Sequence, residues 1–225
     1  ADVDKKTYNI TLEEIKRLTT DNTKAIIVVH LFGKPISEIG EIVKYCLENK
    51  IKLIEDCAQA HGAKIHDKKV WSFWDISCFS FYATKNMWTA EWWITLFKDD
   101  TDYKKAKLIY NHGQSEKYFH TELGYNFRMT NIQAAIWSAQ LLKLSSLNNS
   151  RIENAKLYNS ILEKQNPLQI PQIIENQTNV FHQYTVLVKQ DSNISRKQIQ
   201  ERLKEKWIPT AIHYHIPIHK QPYYS

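Results

Sequence analysis

The sequence predicts an α/β fold on a mainly parallel sheet, followed by a smaller α+β region. Three observations carry this. AIIVVH (25–30) and KLIED (52–56) are short, largely apolar runs, as buried strands require. Between them, PISEIGEIVKYCLEN (35–49) places Ile39, Ile42, Val43, Cys46 and Leu47 at helical spacing. A β-α-β unit of this kind implies parallel strands and a right-handed crossover. Residues 182–215 then read as strand, amphipathic helix and strand, the pattern of a separate small domain.

The remaining elements follow in order. SCFSFY (77–82) and WWITLF (92–97) read as further strands. DYKKAKLIYNHG (102–113) reads as a helix closed by Gly113. Thr130 and Gln133 form a capping-box pattern. It opens a helical region expected to reach about residue 164, with a break near Asn148 and Asn149. Residues 167–179 are polar and loop-like. HQYTVLV (182–188) alternates as a strand, ISRKQIQERLKEK (194–206) is an amphipathic helix, and TAIHYH (210–215) reads as a strand. The expected division is a large-domain portion over 1–147 and a linking helix with small domain over 148–225.

Composition narrows the function classes. No apolar stretch reaches 18 residues, so no membrane span is expected. The opening ADVDKK carries no secretory pattern. Three cysteines without a C-x-x-C pair argue against a disulfide framework or a zinc site, and fit a reducing cytoplasm. The net charge of +6 is spread among acids, as in RIENAK, which fits a solvated surface rather than a nucleic-acid footprint.

Two residues stand where chemistry is expected. In parallel α/β sheets ligands bind at the carboxyl ends of strands. Asp56 ends the strand 52–56 and can pair with a cationic ring nitrogen, though from position alone a turn or helix-cap role is the plainer reading. Lys85 lies just past the strand 77–82 and can reach the same edge. A desolvated lysine there suits Schiff-base chemistry; by itself it is also an ordinary surface residue. Ser80 and Thr84 flank it, as phosphate ligands or as plain strand and turn hydroxyls.

Taken together, D-x-x-Q-A-H-G-A (56–63) and S-F-x-x-T-K-N (80–86) resemble the DegT/DnrJ/EryC1/StrS family of sugar aminotransferases. The resemblance continues through YNHGQ (110–114), GYNFRMTNIQAA (124–135) and IHYHIPIHKQPYY (212–224). It implies pyridoxal-5′-phosphate (PLP) dependence and fold type I, the aspartate-aminotransferase-like fold, in a homodimer with a shared site. By the resemblance Lys85 holds PLP covalently and moves the proton during catalysis. Asp56 faces the pyridine nitrogen, Gln59 the ring hydroxyl and Ser80 the phosphate. Asn126 reaches the phosphate of the partner's cofactor, and His213 and Tyr214 face the substrate. The implied reaction aminates a nucleotide-linked keto-sugar from glutamate or glutamine, for amino-sugar biosynthesis. Sugar-dehydrating relatives carry histidine in place of the lysine. A non-catalytic sugar-binding or dimerising relative is the alternative from another class. The histidines 213, 215 and 219 have mixed spacing and are not read as a metal site.

Two departures from the family stand out. The chain starts and stops inside the family's usual length, without the upstream aromatic and small-residue loop, so it is expected to be a fragment that alone would not bind PLP tightly. Glycine occurs 5 times and tryptophan 7 times, where average usage would give about 16 glycines. Trp71, Trp74, Trp92, Trp93, Trp137 and Trp207 fall where relatives have glycine; Trp88 is a less certain member of the set. A stacking platform for sugar or single-stranded nucleic acid is one reading, and ordinary core residues another. The preferred one is a UGA codon read as glycine by the organism but translated as tryptophan on paper.

Overall fold

The computed structural model describes residues 1–165 and 167–224. Its elements in chain order begin with α1 (Leu12–Leu18), β1 (Ala25–Val29), α2 (Ile39–Glu48), β2 (Lys52–Asp56), β3 (Lys64–Ile65), β4 (Lys68–Lys69), β5 (Ile76–Ser80) and β6 (Trp93–Phe97). They continue with α3 (Asp100–Tyr110), β7 (Gln114–Glu116), β8 (Phe119–His120), α4 (Asn131–Leu141), α5 (Leu144–Leu162), β9 (Leu168–Gln169), β10 (Gln177–Thr178), β11 (Leu187–Val188) and α6 (Arg196–Glu205).

The main sheet has the order β1-β2-β5-β6. β1, β2 and β5 run parallel, and β6 returns antiparallel to β5. α2 is the crossover between β1 and β2 and buries Ile39, Ile42 and Cys46 against Val28, Leu53, Ile65 and Trp74. Each fully buried aliphatic side chain contributes roughly 1.5–3 kcal/mol. Ile42→Ala would remove one of the central contacts at a cost of about 2–5 kcal/mol. The topology positions the site. Parallel β2 and β5 deliver their carboxyl ends, Asp56 and Ser80, to one sheet edge. Because β6 turns straight back, the connection 81–92 stays at that edge.

The chain divides into two compact units, 1–160 with 171–185, and 161–170 with 186–225. This division keeps most of α5 in the first unit; the expected boundary at 147/148 falls inside that helix. The smaller sheets are β10-β3-β4 and β7-β8 in the first unit and β11-β9 in the second.

Three sequence expectations are corrected. The helical region breaks between Leu141 and Leu144, not at Asn148 and Asn149; Asn148 is buried inside α5, where its amide has partners. The expected strand 182–188 is reduced to Leu187–Val188, because His182 and its neighbours are drawn into the first unit's interior. The segment 210–215 forms no strand and is mostly exposed. The capping boxes of α4 (Thr130, Gln133) and α6 (Ser195, Gln198) are both formed. No helix among the described residues is long and apolar enough to cross a membrane.

Candidate functional site

β2 ends in two carboxylates with different roles. Strand alternation sends Glu55 inward and Asp56 to the other face. Glu55 is fully buried and accepts the N–H groups of Trp71 and Phe73 at 2.8 and 3.1 Å. Ile36 N–H donates to His30 Nδ1, so His30 Nε2 carries the proton that it donates to Glu55 at 3.1 Å. These bonds fix the end of β2 against the 70–75 turn. Asp56 is half-buried, and its Oδ1 accepts the N–H of Ala58 at 2.9 Å. The turn role is therefore present, and it orients the carboxylate and leaves Oδ2 for a further partner.

Gln59 is held just beyond. Its Oε1 accepts the Phe32 N–H at 2.6 Å, which turns the Nε2 donor to the other side. Gly33 makes this approach feasible. Its φ is +88°, and a Cβ there would stand 2.9 Å from the Gln59 carbonyl oxygen and from Val180. Ser80 closes β5, half-buried, and accepts the Tyr82 N–H at 3.3 Å.

Lys85 lies in a tight loop. Its N–H donates to Tyr82 O, Thr89 N–H returns to Phe81 O, and Phe81 N–H to Trp92 O. The side chain is half-buried. Burial lowers the ammonium pKa from its ordinary value, and the Asp56 carboxylate acts in the opposite direction. The structure thus brings Asp56, Gln59, Ser80 and Lys85 to one edge of the sheet. Beneath them His61 packs against Phe79 and Phe81, with ring centroids 5.1 and 5.5 Å away. Burial, then the neighbouring Lys85 and His182 groups, push its pKa down to about 3, so the imidazole is neutral.

Sequence reasoning missed the groups that hold the lysine loop. Asn86 is 3% exposed and bonds Asn148, Val180 and His182. The adjacency of Asn86 to Lys85 was the one visible signal; its partners lie 62 to 96 residues away.

The other expected site residues sit in different settings. Asn126 is exposed; its Oδ1 accepts from Arg128 Nε, and its backbone bridges Asn111. His213 and Tyr214 belong to the second compact unit and are exposed there. His30, Glu55 and Cys57 bring potential metal-ligand atoms within 4.8 Å of one another. Yet His30 and Glu55 are committed to the hydrogen bonds above, and burial pushes the Cys57 thiol far up, against thiolate ligation.

Comparison with known proteins places this arrangement. The chain is 36% identical to UDP-N-acetyl-3-dehydro-alpha-D-glucosamine 3-aminotransferase of Acidithiobacillus ferrooxidans, covering 100% of the chain and 59% of that protein. The solved structure of Helicobacter pylori PseC, an aminotransferase of pseudoaminic acid biosynthesis, superimposes with a TM-score of 0.91 at 29% identity, over 99% of the chain and 61% of that structure. The E. coli GDP-4-keto-6-deoxy-D-mannose-3-dehydratase with bound hydrated PLP superimposes with a TM-score of 0.84 at 28% identity, over 91% and 57%. The chain spans about 60% of the length of the curated relatives it matches. The expected α/β fold of PLP-dependent transferases is thus the observed one. The family model for DegT/DnrJ/EryC1/StrS aminotransferases matches residues 1–225, and the chain belongs to that family.

Proposed function

We propose that this chain carries the lysine side of a PLP site in an enzyme that transfers nitrogen from glutamate or glutamine to a nucleotide-linked keto-sugar. The observation that carries the reading is Lys85: a half-buried amine with a lowered pKa, on the sheet edge that also presents Asp56. The residues present fit the cofactor. Asp56 offers a carboxylate oxygen for a protonated pyridine nitrogen, Gln59 an oriented N–H donor, and Ser80 a hydroxyl for phosphate.

PLP, when bound, supplies an electron sink for the bonds around the substrate nitrogen. Asp56 would pair with the ring nitrogen and favour its protonated form. Lys85 Nζ would hold the cofactor and, as a neutral amine, would carry the proton at the substrate carbon. Desolvation favours the neutral amine that this step needs. Asn126 is proposed to meet the phosphate of a partner subunit's cofactor, and His213 and Tyr214 to face the sugar. Support comes from the exposure of all three and from relatives named as aminotransferases of UDP- and dTDP-linked sugars, beside a GDP-perosamine synthase.

A dehydratase shares the fold, so fold does not separate the two reactions; a lysine at position 85 favours amination. The test uses the full-length protein with PLP, glutamate or glutamine, and a panel of UDP-, GDP- and dTDP-linked keto-sugars. Formation of an amino-sugar and the donor's keto acid, abolished in Lys85→Ala, is the expected result. A deoxygenated sugar without nitrogen transfer would overturn the reading.

A further inference from the structure

Asn86 follows Lys85 directly, and its amide is bonded on every side. The orientation of each group is fixed by its partners. Val180 O is a carbonyl and only accepts, so Asn86 Nδ2 must face it, at 3.1 Å. The same nitrogen donates to Asn148 Oδ1 at 2.9 Å. Asn86 Oδ1 therefore faces His182, whose Nδ1 carries the proton and donates at 3.1 Å. Asn148 Nδ2 in turn donates to His61 O at 2.7 Å. Gly62 makes room for this last bond: a Cβ there would stand 2.8 Å from Asn148 Nδ2, and its φ is +83°. The donors run in one direction, from His182 through Asn86 and Asn148 to the backbone of the segment that begins at Asp56. Asn86, Asn148 and His182 are all buried.

We propose that Asn86 is a positioning residue, which through Asn148 and His182 fixes the backbone of Lys85 against the Asp56–His61 segment. This rests on the PLP reading of Lys85. An interior amide network of this kind holds only when all members are paired, since a half-satisfied one is costly. Its place in the fold gives it a further consequence. It joins the lysine loop to the carboxylate segment by way of α5 and the 180–182 segment, so removing it changes the distance between amine and carboxylate as well as stability.

The test uses the full-length protein and reads PLP affinity and the pH midpoint of the lysine-bound cofactor's visible absorbance, beside apo-protein melting. Asn86→Ala and His182→Phe should weaken PLP binding by about tenfold or more, the effect of one unpaired buried polar group, and should move the pH midpoint. His182→Gln, which restores an N–H donor, should recover most of both. Ile42→Ala, a core change away from the network, should lower melting and leave the midpoint unmoved. If Asn86→Ala fails to fold, the His182→Phe and His182→Gln pair decides alone. Lowered melting with unchanged affinity and midpoint would overturn the positioning role. Absence of the lysine-bound absorbance in wild type would instead overturn the PLP reading itself.

A second observation is independent of the first. Trp207 has φ +60° and Trp71 φ +82°, the left-handed region that penalises side chains by roughly 1–2 kcal/mol. Trp207 N–H donates to Lys204 O and Ile208 N–H to Leu203 O, the paired bonds of a Schellman cap with glycine's position at 207. Its side chain is 93% exposed, so burial offsets nothing. Trp71 is pinned in its conformation by the bond to buried Glu55 and by the Ser77 hydroxyl on its carbonyl. The other five tryptophans do not enter that region, whereas ten non-glycine residues of other types do, Lys50 and Ala90 among them; what marks 207 is the exposed Schellman position, and what marks 71 is the turn fixed by Glu55 and Ser77. We infer that the protein made in its own cells carries glycine at 71 and 207, from codons read there as glycine. Peptide masses of the native protein spanning both positions should show glycine, with UGA in the gene. Tryptophan masses, or UGG codons at both sites, would overturn the inference.

Discussion

The loop that carries Lys85 and the segment that carries Asn126 are held in opposite ways. Lys85 is followed by Asn86 and Met87, both buried, and the loop is tied to α5 and to the 180–182 segment. Asn126 sits among exposed Tyr125, Phe127 and Arg128, and its side-chain oxygen accepts from Arg128 Nε. The residues proposed to meet the cofactor are therefore preorganised by bonds within this chain. The residues assigned to a partner subunit or to the substrate face outward. In the proposed enzyme the first group would set the chemistry and the second would set what is bound.

That contrast can be broken by substitution. The largest effect is expected for chemistry: in the full-length protein Lys85→Ala should lower kcat by at least about 10³-fold, since both the attachment point and the proton carrier are lost. Asn126→Ala should retain measurable turnover and raise KM for PLP or substrate. Equal, complete loss in both would erase the distinction between the two regions.

Stability should separate them next. Asn148→Ala strands the His61 carbonyl and removes one acceptor from Asn86, and should cost about 1–3 kcal/mol. Asn126→Ala is a surface change and should stay within about 0.5 kcal/mol. Denaturant unfolding of both variants checks the difference.

A third effect is in pH. His61 is buried neutral, with its pKa pushed down to about 3 from an ordinary value near 6.5. Its folded pKa is depressed, so the stability it permits is fully present above pH 6.5 and is lost as pH falls towards 3. Between pH 6.5 and 4.5 the loss should reach up to about 3 kcal/mol. His61→Phe, which keeps the ring packed between Phe79 and Phe81, should flatten that slope. Parallel melting curves for the two proteins would contradict the assignment. The smallest change is expected from Trp207→Gly, a gain of about 1 kcal/mol from relief of a left-handed backbone.

Much of the fold was legible because the first β-α-β unit states itself locally. Val28 and Leu53 are buried strand residues, and Ile39, Ile42 and Cys46 line one helical face. Asp56 and Lys85 were legible as parts of long motifs. What was not legible depended on distant partners. Asn148 looks like a helix breaker in isolation, and it is tolerated inside α5 because His61 O and Asn86 complete its bonds. The alternation of 182–188 suggests a strand, but His182 is consumed by Asn86, and regular pairing starts only at Leu187. The His30–Glu55 pair was invisible for the same reason, since the two residues meet only once β1 and β2 align.

Whether Lys85 is the cofactor lysine can be measured directly. The full-length protein is loaded with PLP, reduced with borohydride, digested and mapped by mass spectrometry. A pyridoxyl label on the peptide containing Lys85, absent from Lys85→Ala, is the result predicted here. A label on another lysine, or none at all in protein that has bound PLP, would contradict it.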